Sequence, residues 1–583
     1  MTLLSKASLV ATPTAYGDGV LNSVKPTDGA GDFDFARASS ATRVNEEGLI
    51  EKERENLLLQ SNQFDTTWTN TSSTETGGQT GYDGTTDAWL IERSNAYGNI
   101  FQAQTSSGVQ TYSVYAKSGT YDWMYLRYRK SDLSYDGAYF DLSNGVLGAV
   151  FSTISQTIES IGSGWYRCSI TFNASLSQVL IYPVDSNNGI ANSGTGNIYI
   201  QDAQLEYGLV ATDYIETTTS SVAVGITNNI PRINYENGIG NFLLEPQRTN
   251  NITYSEDFSQ WSKLNSTVTS NSIDSPEGNQ NAALINYSIT SSNGYVRLAH
   301  TASQYITVYV KYNDIQWLMC YGSGLGAGKF IDIKNGVIGG NVGSGANAEI
   351  YDAGNGWKRI HFYSSSANIT QFSIYAAESD GSYASITLSG SVYLWGAQAE
   401  TGSYPTSYIP TYGGSAVTRA AETCNNAGNS DLFNDSEGVL YAEISALADD
   451  GTNRYISLSD GSISNRVNIF FDTNNKIRGF YNGLSGSISI DKDITIQNKI
   501  AFKYKSGDSA FWVNGFEMAT RTDALSLSGL DSVSFDLGGG SDFYGKTKMV
   551  STFTEALSDS ELECLTSWSS FNRMATAQNY TIQ

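Results

Sequence analysis

The chain has 583 residues and a formal charge of −24, with 58 acidic against 34 basic residues, and so lacks the basic surface that a nucleic-acid backbone requires. Charged residues make up only 16% of it, while glycine (57) and tyrosine (37) are abundant, which suits many short strands joined by polar turns rather than helices. The hydrophobic content of 40% supports packed cores, and the length predicts about four folded units.

Residues 1–54 read as an N-terminal connector. Met1 to Val10 is too short and too polar for a signal peptide, and no run approaches a membrane span, so the expectation is synthesis and folding in a cytoplasm without membrane insertion. Cys168, Cys320, Cys424 and Cys564 are widely separated, which argues against zinc. Cys168 and Cys320 fall on apolar strand positions and read as buried thiols. His300 and His361 are too few for a histidine metal cluster.

Residues 55–217 and 251–420 are two copies of one module, separated by a connector over 218–250. Phe64-Asp-Thr-Thr-Trp68 returns as Phe258-Ser-Gln-Trp261, and Tyr112-Ser-Val-Tyr-Ala-Lys117 as Ile306-Thr-Val-Tyr-Val-Lys311. Asp141-Leu-Ser-Asn-Gly-Val146 returns as Asp332-Ile-Lys-Asn-Gly-Val337, and Gly164-Trp-Tyr-Arg167 as Gly356-Trp-Lys-Arg359. Ile198 to Glu206 returns as Val392 to Glu400, and Thr212-Asp-Tyr-Ile215 as Thr406-Ser-Tyr-Ile409. The order is kept and the offset drifts only between 191 and 194. The blocks alternate and are rich in Tyr, Val, Ile, Thr and Trp, so each copy is expected to be a β-sandwich or jelly roll. Asn144-Gly145 and Asn335-Gly336 predict tight type I′ hairpins. Trp165 and Trp357, after a glycine at a strand start, read as core.

Alternation selects candidate glycan-binding residues. One face of the 123–129 strand carries Trp123, Tyr125, Arg127 and Arg129, against Met124, Leu126 and Tyr128 on the other. The second copy places Trp317, Met319 and Tyr321 in the same phase. Trp123, Tyr125, Trp317 and Tyr321 could present ring faces to the C–H groups of a pyranose, with Arg127 beside them to take its hydroxyls; equally, a loop or a partner subunit could bury this face.

Residues 421–583 change pattern. Gly438 to Ile444, Asn468 to Asp472, Ile477 to Tyr481, Lys499 to Tyr504 and Ala510 to Gly515 read as strands, the last two as a hairpin. Phe553 to Leu565 reads as a short helix that Ser558 and Glu561 cap.

Two connector segments carry a resemblance. Ala36-Arg-Ala-Ser-Ser-Ala-Thr-Arg-Val-Asn45 with Gly48-Leu-Ile50, and Pro231-Arg-Ile-Asn-Tyr235 with Leu244-Glu-Pro-Gln-Arg-Thr-Asn250, resemble a segment of bacteriophage tail-fibre-like and head-fibre-like proteins. The repeats resemble the carbohydrate-binding jelly-roll modules found there. The Lys499 to Gly515 hairpin with Ala556 to Glu561 resembles the end of a concanavalin A-like (laminin-G-like) domain. The resemblance implies an all-β fold of tandem jelly-roll modules plus a concanavalin A-like sandwich, on a virion surface. It implies host-surface polysaccharide and other virion proteins as partners, and a homo-oligomer, a trimer first. Structural calcium is the one cofactor it implies, with Asp83, Asp87 and Asp185 in oxygen-rich loops as candidates; plain turn chemistry explains those loops equally.

Catalysis is not expected. Concanavalin A-like glucanases carry alternating acids on one strand, and no such stretch occurs. There is no Gly-x-Ser-x-Gly elbow. Glu206 and Glu400 recur, and are expected to hydrogen bond at the end of the last strand. A purely structural virion component and a glycan depolymerase remain as alternatives to the adhesin.

Overall fold

The computed structural model describes residues 3–365, 369–570, 573–574 and 577–578. The fold is all-β, built from sandwiches. In the first module one layer runs Ser73–Gln79, Ala88–Arg93, Gly196–Tyr207, Ser107–Ser118 and then the first half of Trp165–Val184, with Ser155–Gly162 at its edge. The other layer runs Thr69–Thr71, Asn99–Ala103, the second half of Trp165–Val184, Trp123–Lys130, Tyr135–Asp141 and Val146–Phe151. The 20-residue strand Trp165–Val184 thus passes from one layer to the other. The second module repeats this order strand for strand, with the long strand divided into Trp357–Tyr363 and Ile369–Ala377.

Each module closes on its own core. Phe64, Trp68, Met124, Leu126, Cys168 and Ile181 line the first, and Phe258, Trp261, Leu318, Cys320, Ile360 and Ile374 the second. The four cysteines are free thiols, with Cys564 alone exposed. Glu206 and Glu400 sit where the last strand ends. Glu206 accepts from the Thr212 amide at 2.9 Å and its hydroxyl at 2.6 Å, and Glu400 accepts from the Thr406 amide at 3.0 Å. These bonds explain why the closing Thr-x-Tyr-Ile block recurs.

The Asn-Gly turns differ from the type I′ expectation. Only Gly145 (φ +66°) and Gly336 (φ +71°) take positive φ; Asn144 and Asn335 do not. The cause is Asp141, whose carboxylate accepts from the Ser143 and Asn144 amides at 3.0 Å each and so builds a longer loop. Asp332 accepts from the Asn335 amide at 2.9 Å in the same way. Type I′ geometry does occur at Asn514-Gly515, where both φ values are positive.

The third sandwich draws on both ends of the chain. Its larger sheet contains Glu437–Ala446, Asn498–Lys505, Ser509–Val513 and Gly545–Phe553, and Ala7–Ala11 pairs with the last of these. Residues 33–36 pair with Thr423–Asn425. Phe33, Phe35, Leu9 and Phe242 therefore share one core with Ile469, Phe502 and Phe511. The helix is shorter than expected, Asp559–Thr566, because Phe553 still belongs to a strand. Glu561 accepts from the Ser558 amide at 3.0 Å, as the capping pattern indicated.

The connector motifs meet at a buried ionic hub. Arg37 lies 2.7 Å from Glu422, Arg232 2.9 Å from Glu245, and Arg419 2.7 Å from Glu245; Arg232 also pairs with Glu422. All five side chains are buried. Burial pushes the Glu245 carboxyl up, but Arg419 and Arg232 outweigh it and hold it well below the usual carboxylate range. The recurrent arginines of the connectors thus weld the first segment, the second module and the third sandwich together.

Candidate functional site

The predicted aromatic face exists in both copies, and it is roofed. Tyr125 is paired across the sheet with Tyr139 and Tyr182, so the rings meet: Tyr125 and Tyr139 stack at 4.0 Å and 2°. The Arg127 guanidinium sits 3.9 Å over Tyr135 and donates to the Tyr182 hydroxyl at 3.3 Å. Tyr125 is buried; Trp123 and Arg127 are half-buried. The roof is the edge strand Val146–Phe151 and the loop after Val184. The Asn187 side-chain oxygen accepts from the Ala149 amide at 2.8 Å, and a Cβ at Gly148 would lie 2.6 Å from the Trp123 ring. In the second copy Asp380 accepts from the Gly340 amide at 2.8 Å, and Gly339 sits against Trp317. Trp317 and Tyr321 are half-buried around a buried Met319. Each copy therefore carries a second, small aromatic core, and the sequence-selected residues are brought together within it.

Turn donors occupy the proposed calcium loops. Asp83 accepts from the Thr85 amide at 3.1 Å, Asp87 from Gln201 at 2.9 Å, and Asp185 from Asn192 at 2.9 Å. Among the described residues, no group of three or more His, Cys, Asp or Glu is placed to hold a metal.

A second location sets the two copies apart. In the second module a cleft is floored by Tyr309, Trp357, Trp395 and Tyr408, and the first connector fills it. The hairpin of Thr42–Val44 and Ile50–Lys52 delivers Ile50, whose amide donates to the Pro276 carbonyl at 2.9 Å. The Lys52 ammonium lies 3.0 Å from Glu256 and 2.8 Å from Glu277. Burial pulls its pKa down, and the two carboxylates outweigh that and hold it well above the ordinary lysine value.

The matched cleft of the first module has different walls. Tyr115 and Trp165 stand for Tyr309 and Trp357, Gln201 for Trp395, and Asp202 for Gly396 at the same bulge, where both take positive φ. Tyr82 stands for Pro276 and turns into the cleft, stacking on Tyr115 at 4.1 Å and donating to Asp202 at 2.8 Å. Burial pushes the Asp202 carboxyl up to about 6, against the Tyr82 hydrogen bond. Among the described residues no lysine or arginine forms an ion pair with Asp83, Asp87 or Asp202. Tyr82 and Tyr115 are half-buried; Asp83 and Asp87 are exposed. Sequence reasoning passed over this cleft, although the mismatch of Gln201-Asp202 with Trp395-Gly396 inside a matched block was a readable signal.

A third feature is an open groove of about 590 Å³ on the second module. Cross-strand rows build its floor: Thr267, Asn286 and Ser391 in one, Ser288 and Ser389 in the next. Asn265, Ser266 and Asp314 rim it. Its polar side chains are hydroxyls and amides, able to donate and accept, with the Asp314 carboxylate among them, a lining that suits a polyhydroxylated ligand better than a wholly apolar one.

No family profile and no curated protein matches the sequence. Among solved structures, the chain is similar to the CBM40 of the Ruminococcus gnavus IT-sialidase, at 15% identity over 24% of this chain and 93% of that one, with a TM-score of 0.21. The tandem CBM22 domain of Paenibacillus barcinonensis Xyn10C aligns at 12% identity over 63% and 98%, with a TM-score of 0.20. Trypanosoma rangeli sialidase in complex with DANA aligns at 9% identity over 91% and 98%, with a TM-score of 0.21.

Proposed function

We propose that this chain is a carbohydrate-binding protein without catalytic activity, built of tandem β-sandwich modules. The observation that carries the reading is the 590 Å³ groove on the second module, open to solvent and lined by hydroxyl and amide side chains from three adjacent strands with the Asp314 carboxylate at its rim. The finer part of the proposal is a bacteriophage surface protein: a homo-oligomer, a trimer first, made in the host cytoplasm, that joins other virion proteins and attaches to host-surface polysaccharide. The connector motifs support this part, since their arginines build the hub that fixes the second module to the third sandwich.

A glycan array probed with the whole protein tests the binding, with Ser389→Trp as the control that fills the groove. Retention on specific glycans that Ser389→Trp abolishes is the expected result; no retention on any glycan overturns the reading. Imaging of an intact particle with a bound antibody tests the location. The roofed aromatic faces favour one alternative, a structural virion component in which those faces only stabilise the modules.

A further inference from the structure

In the second module the Lys52 ammonium and the Asn281 carboxamide lie on the same two carboxyl groups. Glu256 Oε2 is 3.2 Å from Lys52 Nζ and accepts from Asn281 Nδ2 at 3.4 Å. Glu277 lies 2.8 Å from each nitrogen, through one oxygen for each. The group is shut away from water: Lys52 is 9% exposed, Glu256 2% and Asn281 1%, and the Glu277 side chain 3%. Aromatic residues close it, with Tyr408 donating to Glu256 at 3.1 Å and the Tyr412 ring 5.5 Å from the ammonium. The Asn281 Oδ1 accepts no hydrogen bond among the described residues, so hydrogen bonding alone does not account for the burial of this amide. The first module has no such trio. There Asn62 stands for Glu256, Asp83 for Glu277 and Asp87 for Asn281, and among the described residues no lysine or arginine pairs with either aspartate.

An ammonium is no nucleophile, but here its proton has a place to go. The two carboxylates that hold Lys52 as an ammonium leave the buried site with a net negative charge, which burial opposes. Protonation of one carboxyl removes that excess, and burial does push the Glu256 carboxyl above its ordinary value, against the pull of Lys52. Transfer of one ammonium proton to Glu277 then leaves every group neutral. The amine so formed stands beside a carboxamide that shares both of its partners, with water kept from competing for Cγ.

We propose that Lys52 and Asn281 react with each other to form an intramolecular isopeptide bond, with Glu277 and Glu256 as the proton carriers. Lys52 Nζ attacks Asn281 Cγ, and the Cγ–Nδ2 bond breaks as the new C–N bond is made. Two protons leave Lys52 by way of the carboxyl pair, and both depart with Nδ2 as ammonium. One ammonium and one carboxamide thus become one secondary amide and one ammonium ion, with no oxidant, nucleotide or metal required. The bond ties the first connector covalently to the second module. Tension applied to the two ends of the chain would then bypass residues 53–280, the whole first module included. The proposal is independent of what the protein binds.

Mass spectrometry of the whole protein, first intact and then digested, tests this. The expected result is a chain about 17 Da lighter than its sequence, the mass of one ammonia, and a branched peptide that carries Lys52 and Asn281 together. Lys52→Arg keeps a cation between the carboxylates, and is expected to show the full mass and no branched peptide. Glu277→Gln is expected to leave most of the chain at full mass. Full mass for the natural sequence after prolonged incubation at neutral pH overturns the proposal. So does a deficit that maps to an Asn-Gly turn such as Asn144-Gly145, where succinimide formation also releases ammonia. A branched peptide that forms as fast in Glu277→Gln as in the natural sequence overturns the proton route.

Discussion

Tyr82 and Pro276 occupy one turn position in the two copies, and the difference decides what fills each cleft. The Tyr82 ring packs 4.1 Å from Tyr115 of its own module. Pro276 has no aromatic ring to turn inward, and its carbonyl instead takes the Ile50 amide at 2.9 Å. This position, with Gln201 for Trp395 and Asp202 for Gly396, separates a module that closes on itself from one that captures a distant strand.

Lys52→Met is expected to destabilise the second module by about 3–5 kcal/mol, because it strands two carboxylates without their cation. Glu256 and Lys52 are 9% exposed or less, so water cannot substitute for the pair. Denaturant unfolding followed by tryptophan fluorescence checks it, since Trp357 and Trp395 floor the same cleft. The triple variant with Glu256→Gln and Glu277→Gln should recover part of the loss.

Asp202 should give the first module an unusual pH response. Its carboxyl is raised from the ordinary 3.8 to about 6, so the folded state holds the proton more tightly than the unfolded state. The group therefore favours folding at low pH, and its contribution is lost as pH rises from about 4 to 6, by at most about 3 kcal/mol. Asp202→Asn should flatten that part of the stability profile. The positive φ of 53° suits asparagine, so the variant should fold. Unfolding midpoints at pH 4, 5, 6 and 7 for both proteins measure the difference.

Glu422→Gln should cost about 3–5 kcal/mol, because Arg37 and Arg232 would lose a buried carboxylate they share. Limited proteolysis should then cut the connectors before either module, since the hub joins elements that otherwise meet through few strands. Equal protection of the connectors in both proteins would contradict the welding role.

The matched turns offer a controlled comparison. Gly336→Ala meets nothing within 4 Å and carries only the strain of φ +71°, about 1–2 kcal/mol. Gly145→Ala carries similar strain and also brings a methyl 2.6 Å from the Tyr166 ring. Thermal melts should rank the second variant clearly below the first.

The repeat was legible because turns and strand starts such as Gly-Trp-x-Arg depend on local chemistry, and both copies keep it. The capped helix and the hairpin of Lys499 to Gly515 were legible for the same reason. The roof over Trp123 was not, because the loop after Val184 and its counterpart near Asp380 share little sequence, and only their single bonds to Ala149 and Gly340 coincide. The filled cleft was not legible either, since Lys52 and Glu256 are 204 positions apart and no local pattern announces their pairing.

The pairing of Ala7–Ala11 with the last long strand sets a timetable for biosynthesis. Ser8 and Thr552, bonded at 2.9 Å, are separated by 544 positions. At about 5–20 residues per second, a ribosome needs roughly half a minute to two minutes to supply the partner. During that interval both modules can fold on their own cores, while Leu9, Phe33 and Phe35 wait without theirs. The third sandwich therefore forms after both modules, a clasp that shuts only once Gly545–Phe553 has been made. Any chaperone this protein needs should be sought on those first 36 residues while translation continues.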